Sequence, residues 1–368
     1  MSNARNNPKN DRLKRDYLVW LREAKQRSPA TVDQVRHAID RYESYIRFKG
    51  FETFNREQAM GFKHFLLETN AQRSGRPMSL STVYHILQAN KDFLAWLHNR
   101  AGFRRTISLH DIAYLNLSKG EERQACTSKP KEYPSVEEFQ RAITAMPEAS
   151  DIDRRDRAVM AMLLLTGMRD AALIGLKMRD VDVASRYIFQ DPRHANTKFH
   201  KPIHTFLLPI GGEVDRIFGE WISFLRGEKE FGPDDPVFPK TQVGPGQDQV
   251  FRAVGFGREH WTDASPVRRI FREAFARIGL PFSKPHTVRN TLVQYAYQQR
   301  FTAEQMKALS QNLGHESPLT TFGSYGPLTR ERQGEVIAGM GHPAAGGAAS
   351  EMTPAELARL LSAKLGVS

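Results

Sequence analysis

The sequence predicts a mostly α-helical protein with a small β-sheet, an α+β chain of two domains, on three observations. Apolar residues recur at spacings of three and four in segments spread over most of the 368 residues. Only two short stretches read as strands. A polar, proline-punctuated stretch, residues 118–134, divides the chain. With 40% hydrophobic, 10% aromatic and 26% charged residues, the chain can fill ordinary cores, and its length suits two domains.

After a polar leader (Ser2 to Asn10), a helix from about Asp11 to Lys25 opens an N-terminal bundle. Ser28-Pro29 starts the next helix, whose Val32, Val35, Ile39, Tyr42 and Ile46 keep one face apolar until Gly50. Another begins near Asn55 with Phe62, Phe65 and Leu66 inward, and a further one at Ser81 carries Val83, Ile86, Leu87, Leu94 and Leu97 on one side. These stripes are core, and the Arg, Lys, His and Gln between them face outward. Residues 1–117 therefore form a basic helical domain, and residues 118–134, which lack periodicity, form a linker.

Residues 135–335 form the second domain. Ser135-Val136-Glu137-Glu138 is a capping box ahead of Phe139, Ile143 and Met146 on an amphipathic helix. Ala158 to Leu165 is apolar all round, as a helix in the middle of a domain is. Tyr187 to Gln190 and Thr205 to Leu208 read as two strands flanking a polar loop, hence a hairpin. Helices then recur at Glu213 to Leu225, Ser265 to Ile278, His286 to Gln299 and Thr302 to Leu313. Residues 336–368 read as a flexible Gly/Ala-rich tether and a last helix bearing Leu357, Leu360, Leu361 and Leu365. Those leucines need cover, from a neighbouring protomer or from the chain's own domain.

The formal net charge is +12. Residues 1–130 hold 23 Lys and Arg against 13 Asp and Glu, so the N-terminal third carries most of the excess. Such an excess favours a polyanion, because neutralising phosphates releases condensed counterions. No run of about 18 apolar residues occurs and no secretory signal opens the chain, so a soluble, cytoplasmic protein is expected. Cys126 is the only cysteine, which excludes an intramolecular disulfide and a thiolate zinc cage.

Four segments of the second domain carry chemistry. Thr166-Gly167-Met168-Arg169 ends the buried helix and presents an arginine. Thr197-Lys198-Phe199-His200-Lys201-Pro202 places lysines in the hairpin. His286-Thr287-Val288-Arg289 sets an imidazole and a guanidinium three apart on one helix face. Leu313-Gly314-His315 leads through Thr320-Thr321 to Tyr325. Each alone is a weak signal. In this order, across residues 135 to 330, they resemble the tyrosine recombinases, the phage-type integrases, and the basic bundle ahead of them resembles that family's core-binding domain.

The chemistry of the set is that of phosphodiester transfer. Arg169 and Arg289 can each donate bidentately to phosphate oxygens while staying charged, and His315 can donate another hydrogen bond. Tyr325 has a phenol with an ordinary pKa of about 10, and neighbouring guanidiniums favour its phenolate. His286 can take its proton, and Lys198 is the expected general acid for the departing 5′ oxygen. Lys201 is the alternative, with the better spacing to Pro209; Lys198 is preferred because it ends the expected first strand. The product is a 3′-phosphotyrosyl bond of similar energy to the one broken, so no ATP is needed. Asp180-Val181-Asp182 and Asp234-Asp235 are the closest carboxylate clusters. They read as turns and caps, so neither a catalytic metal nor a cofactor is expected.

The resemblance implies a site-specific recombinase on double-stranded DNA, acting as a tetramer through a Holliday junction, with no membrane partner. It leaves open whether the task is integration, transposition, dimer resolution or inversion. The same residues would serve a type IB topoisomerase-like activity, and a catalytically idle DNA-binding regulator could keep the fold. Two departures stand out. Ala172 occupies the position three after Arg169 where the family commonly has an acid, leaving Asp170 as the substitute, and Tyr325 lies one residue further from His315 than in the commonest form. Tyr295 and Tyr297, on the helix after His286, read as core or surface.

Overall fold

A computed structural model describes residues 6–69, 75, 77–127, 132–197, 200–245 and 251–315. The chain divides into two compact units, with the boundary after Ser128.

The first unit is helical: α1 (Pro8–Glu23), α2 (Pro29–Tyr45), α3 (Arg56–Glu68), α4 (Leu80–His98), α5 (Leu109–Ile112) and α6 (Lys119–Cys126). Side chains that accept from first-turn N–H groups set the helix starts: Asn7 for α1, Ser28 for α2, Asn55 for α3 and Ser79 for α4. α2 stops short of Gly50 because Arg47 and Phe48 take positive φ, 54° and 59°. Tyr17, Tyr42, Phe51, Phe62 and Phe93 fill the core. A buried polar knot ties α1 to α2, with Asn10 Nδ2 donating to Glu43 at 2.9 Å and Lys14 donating to Asp40 at 2.9 Å. Despite the cost of burial, the carboxylates of Glu43 and Asp40 hold the Lys14 pKa above its ordinary value. The expected linker does not start where the sequence suggested. Ser118 and Glu121 form a reciprocal capping box, and α6 packs on α4 with Ala125 buried. Its eight residues are too few for an apolar stripe to show.

The second unit surrounds α8 (Asp151–Thr166), whose residues Ala158 to Leu165 are fully buried. Around it lie α7 (Val136–Thr144), α9 (Asp170–Leu173), α10 (Glu213–Gly227), α11 (Ser265–Arg277), α12 (Thr287–Gln298) and α13 (Ala303–Asn312). The Ser135–Glu138 capping box forms as expected. A three-stranded antiparallel sheet orders β1 (Val181–Asp182), β2 (Tyr187–Gln190) and β3 (Ile203–Phe206). β3 lies two residues earlier than expected: Tyr187 faces Phe206, and beyond it the Leu208 N–H leaves the sheet to donate to Leu165 O at 2.7 Å. A second hairpin, β4 (Pro239–Pro245) with β5 (Phe251–His260), was not foreseen. Its glycines and prolines interrupt the alternation that marks strands, and Val243, Phe251 and Val254 stand exposed. No helix among the described residues is long and apolar enough to cross a membrane.

Candidate active site

Thr166 closes the end of α8, its hydroxyl donating to Met162 O at 2.6 Å and accepting from the Met168 N–H at 3.2 Å. Gly167 follows in the left-handed region, φ 61°, and a Cβ there would collide with Leu313 and Leu292. A glycine is required on both counts, and the close approach brings α12 and the end of α13 against this turn. Arg169 then caps α9, half-buried.

Arg289, in the first turn of α12, is 3% exposed. Its guanidinium donates from Nη1 to Gly167 O at 2.6 Å, and from Nη2 to Leu313 O at 2.7 Å and to His315 Nε2 at 2.6 Å. Because arginine only donates, His315 accepts at Nε2, and a neutral ring then carries its proton on Nδ1. Burial, reinforced by the charge of Arg169, pushes the Arg289 pKa down to about 9, which leaves it charged at neutral pH. His315 is placed by a helix stop. The Gly314 N–H donates to Gln311 O at 2.8 Å and the His315 N–H to Ser310 O at 3.0 Å, with Gly314 at φ 64°. That Schellman pair gives the Leu-Gly-His motif its physical meaning.

His286 immediately precedes α12. Partial loss of water, then the positive charges of Arg289 and Arg169, hold its imidazole below the ordinary histidine pKa, while Asp170 pulls the other way. Arg169 is also pushed downward by loss of water. Its guanidinium makes no hydrogen bond or ion pair among the described residues. Asp170 does not become the substitute buttress: its carboxylate accepts from the Ala171 N–H at 2.9 Å and lies 3.9 Å from Arg268. A short helix whose first free N–H is beside the carboxylate captures it before Arg169 can.

The structure thus brings Arg169, His286, Arg289 and His315 into one electrostatic cluster. Lys198 and Tyr325 lie outside the described residues, as do the tether and last helix. Lys201 is exposed just ahead of β3. Tyr295 packs edge-on against Phe301 and Tyr297 packs against the core. The acidic clusters serve turns and ion pairs: Asp182 accepts from Ser185, Asp235 from the Gly232 N–H, and Asp234 pairs with Lys177 and Arg179. Asp180 is buried, accepting from the Lys177 N–H at 2.8 Å and bonded to His194 Nε2 at 2.7 Å.

Two residues escaped the sequence reasoning. His194 joins the β2–β3 connector to Asp180, and no periodic signal marks it. Asn312 is 7% exposed and bonds to β3. It stands three after Leu309 on the apolar stripe of α13, and a polar residue on such a stripe was the available clue.

The phage integrase family model matches residues 135–332. The chain is 20% identical over 333 residues to the tyrosine recombinase XerC of Halalkalibacterium halodurans, spanning 89% of this chain and 96% of the relative. Among solved structures it is similar to a lambda integrase dimer bound to a COC′ core site, with TM-score 0.60 at 15% identity, covering 87% of this chain and 78% of that one. It is also similar to a lambda integrase tetramer bound to a Holliday junction, with TM-score 0.58 at 14% identity, covering 86% and 80%. These structural likenesses concern the fold.

Proposed function

The chain belongs to the phage integrase family, and from that premise we propose that it is a site-specific recombinase that cleaves and rejoins duplex DNA through a phosphotyrosyl intermediate. The observation that carries the reading is the gathering of Arg169, His286, Arg289 and His315 from three separated segments, with no carboxylate paired to either arginine among the described residues. Two unneutralised guanidiniums side by side are costly unless an anion completes them, and a backbone phosphate is that anion.

In the proposed step the Tyr325 oxygen attacks phosphorus and the bond to the 5′ oxygen breaks. The phenol proton passes to His286, and the hairpin lysine, Lys198, supplies the proton that the 5′ oxygen takes up. Arg169 and Arg289 hold the non-bridging oxygens, with His315 donating beside them. A free 5′ hydroxyl reverses the step on the same or another strand, with neither metal nor ATP. The basic first unit, α6 included, serves as the second arm of a DNA clamp. Four protomers exchange strands through a Holliday junction, and the protein works in the cytoplasm on the nucleoid.

The test is a duplex bearing a nick beside the cleavage point, so that the cleaved end is lost and the adduct accumulates. A covalent complex is expected in EDTA, and digestion should place the nucleotide on the peptide containing Tyr325. An adduct on another residue, or none without divalent metal, overturns the reading.

His286 gives a second expected result. A base must be neutral to accept, and its pKa lies below the ordinary value of about 6.5. Cleavage by the free enzyme at sub-saturating duplex should therefore hold steady down to that pH and fall only below it. His286→Gln, which keeps a polar amide but cannot titrate, should cleave slowly and lose that inflection.

A further inference from the structure

We propose that Asn312 is a positioning residue that sets the register of the lysine-bearing hairpin against the arginine cluster. Its side chain does the work of a missing strand. Among the described residues β3 pairs with a strand, β2, on one side only. On its other side the Phe206 N–H donates to Asn312 Oδ1 at 2.6 Å and Asn312 Nδ2 donates back to Phe206 O at 3.0 Å. The same amide points at Thr166 O, 3.5 Å away, one residue before Gly167. Thr205 Oγ1 donates to the Asn312 main-chain carbonyl at 3.3 Å and accepts from Gln190 of β2 at 2.7 Å, so both strands are tied to one point. Ile203, at the start of β3, packs where a Cβ on Gly314 would stand.

The two residues after Asn312 complete the link. Leu313 O accepts from Arg289, and Gly314 leads directly to His315. One buried amide therefore joins the strand that follows Lys201 to the turn ahead of Arg169 and the backbone that holds Arg289. A buried amide on an apolar stripe is worth keeping only where its partners must be satisfied, and here they are the free edge of β3. A hydrophobic residue would leave the Phe206 N–H and C=O unpaired and free the hairpin to slide.

The inference rests on the reading of the hairpin lysine as the proton donor, so the experiment separates the two. On an ordinary duplex the 5′ oxygen must take up a proton as its bond to phosphorus breaks. When sulfur replaces that bridging oxygen, the departing thiolate, of pKa about 8.5, leaves without one. Single-turnover cleavage of both duplexes is measured for the full-length wild type, Asn312→Leu, Asn312→Asp, Lys198→Ala and Lys201→Ala. The aspartate keeps the acceptor for the Phe206 N–H and serves if the leucine variant fails to fold.

Both Asn312 variants are expected to slow cleavage of the oxygen-linked duplex, Asn312→Leu on the order of 10²-fold, and to cleave the sulfur-linked duplex within a few-fold of wild type. Equal slowing on both linkages, or wild-type rates on both, overturns the inference while leaving the lysine reading intact if a lysine variant is rescued by sulfur. If neither lysine variant is rescued, the proton-donor reading falls and the inference falls with it.

Discussion

Arg169→Met is expected to slow strand cleavage on the order of 10³-fold while leaving the melting temperature unchanged or higher. The two effects part because of what Arg169 lacks. It is half-buried, its pKa is pressed downward by loss of water, and its guanidinium has no hydrogen-bond or ion-pair partner among the described residues. The adjacent acid, Asp170, is turned to the Ala171 N–H and Arg268. The position three residues on, Ala172, is apolar and buried. Methionine matches the aliphatic stem and removes a partly dehydrated charge, so the fold loses no bond. Only the phosphate loses its ligand. This is the pattern of a site held ready for a substrate at the expense of stability. Thermal unfolding and single-turnover cleavage, measured on the same sample, check it. A melting temperature lowered by more than about 4 °C, with cleavage retained, would make Arg169 a structural cap instead.

The contrast between Arg169 and Asp170 also shows where sequence reasoning reached its limit. Glycine, threonine and the Ser135–Glu138 box act through their own backbone neighbourhood, so the start of α7, the end of α8 and the end of α13 at Leu313 were legible in the sequence, whereas the equivalent box at Ser118 lay inside the expected linker. The buried run of α8 and the stripes of the first unit were legible for a similar reason, since burial of a helix face imposes its own period. What was not legible depends on partners distant in sequence. Asp170 chooses Arg268, almost a hundred residues on. Asn312 serves a strand edge at Phe206. The β4–β5 hairpin has ten residues in its second strand, yet its exposed Val243 and Val254 and its glycines give no apolar alternation. Lys201, which the spacing to Pro209 favoured, stands exposed ahead of β3, and the start of β3 at Ile203 rather than Thr205 shortens the loop that carries the lysines.

Arg289→Lys should fail in both respects, and its residual cleavage should depend on pH in a way that the wild type does not. Arg289 fixes three acceptors at once, the carbonyls of Gly167 and Leu313 and the Nε2 of His315, from two nitrogens of a planar fork. A lysine ammonium donates from a single atom and cannot reach all three. One buried carbonyl left unpaired costs about 1–3 kcal/mol, and about 2 kcal/mol in a domain of this size lowers the melting temperature by roughly 4–8 °C. Cleavage should fall at least about 10²-fold, because His315 loses the bond that orients it. Burial and the charge of Arg169 push even the Arg289 guanidinium down to about 9. A lysine starts from a lower value, about 10.4, and the same burial and the charge of Arg169 push its ammonium down from there, so it sheds its proton at lower pH than the guanidinium does. Its charged form returns as the solution is acidified. Residual cleavage by Arg289→Lys should therefore rise as the pH is lowered through neutrality, above the pH at which His286 of the wild type takes up its proton. A profile parallel to wild type, with an unchanged melting temperature, would mean that the guanidinium fork is not what holds the Gly167 turn and His315 together.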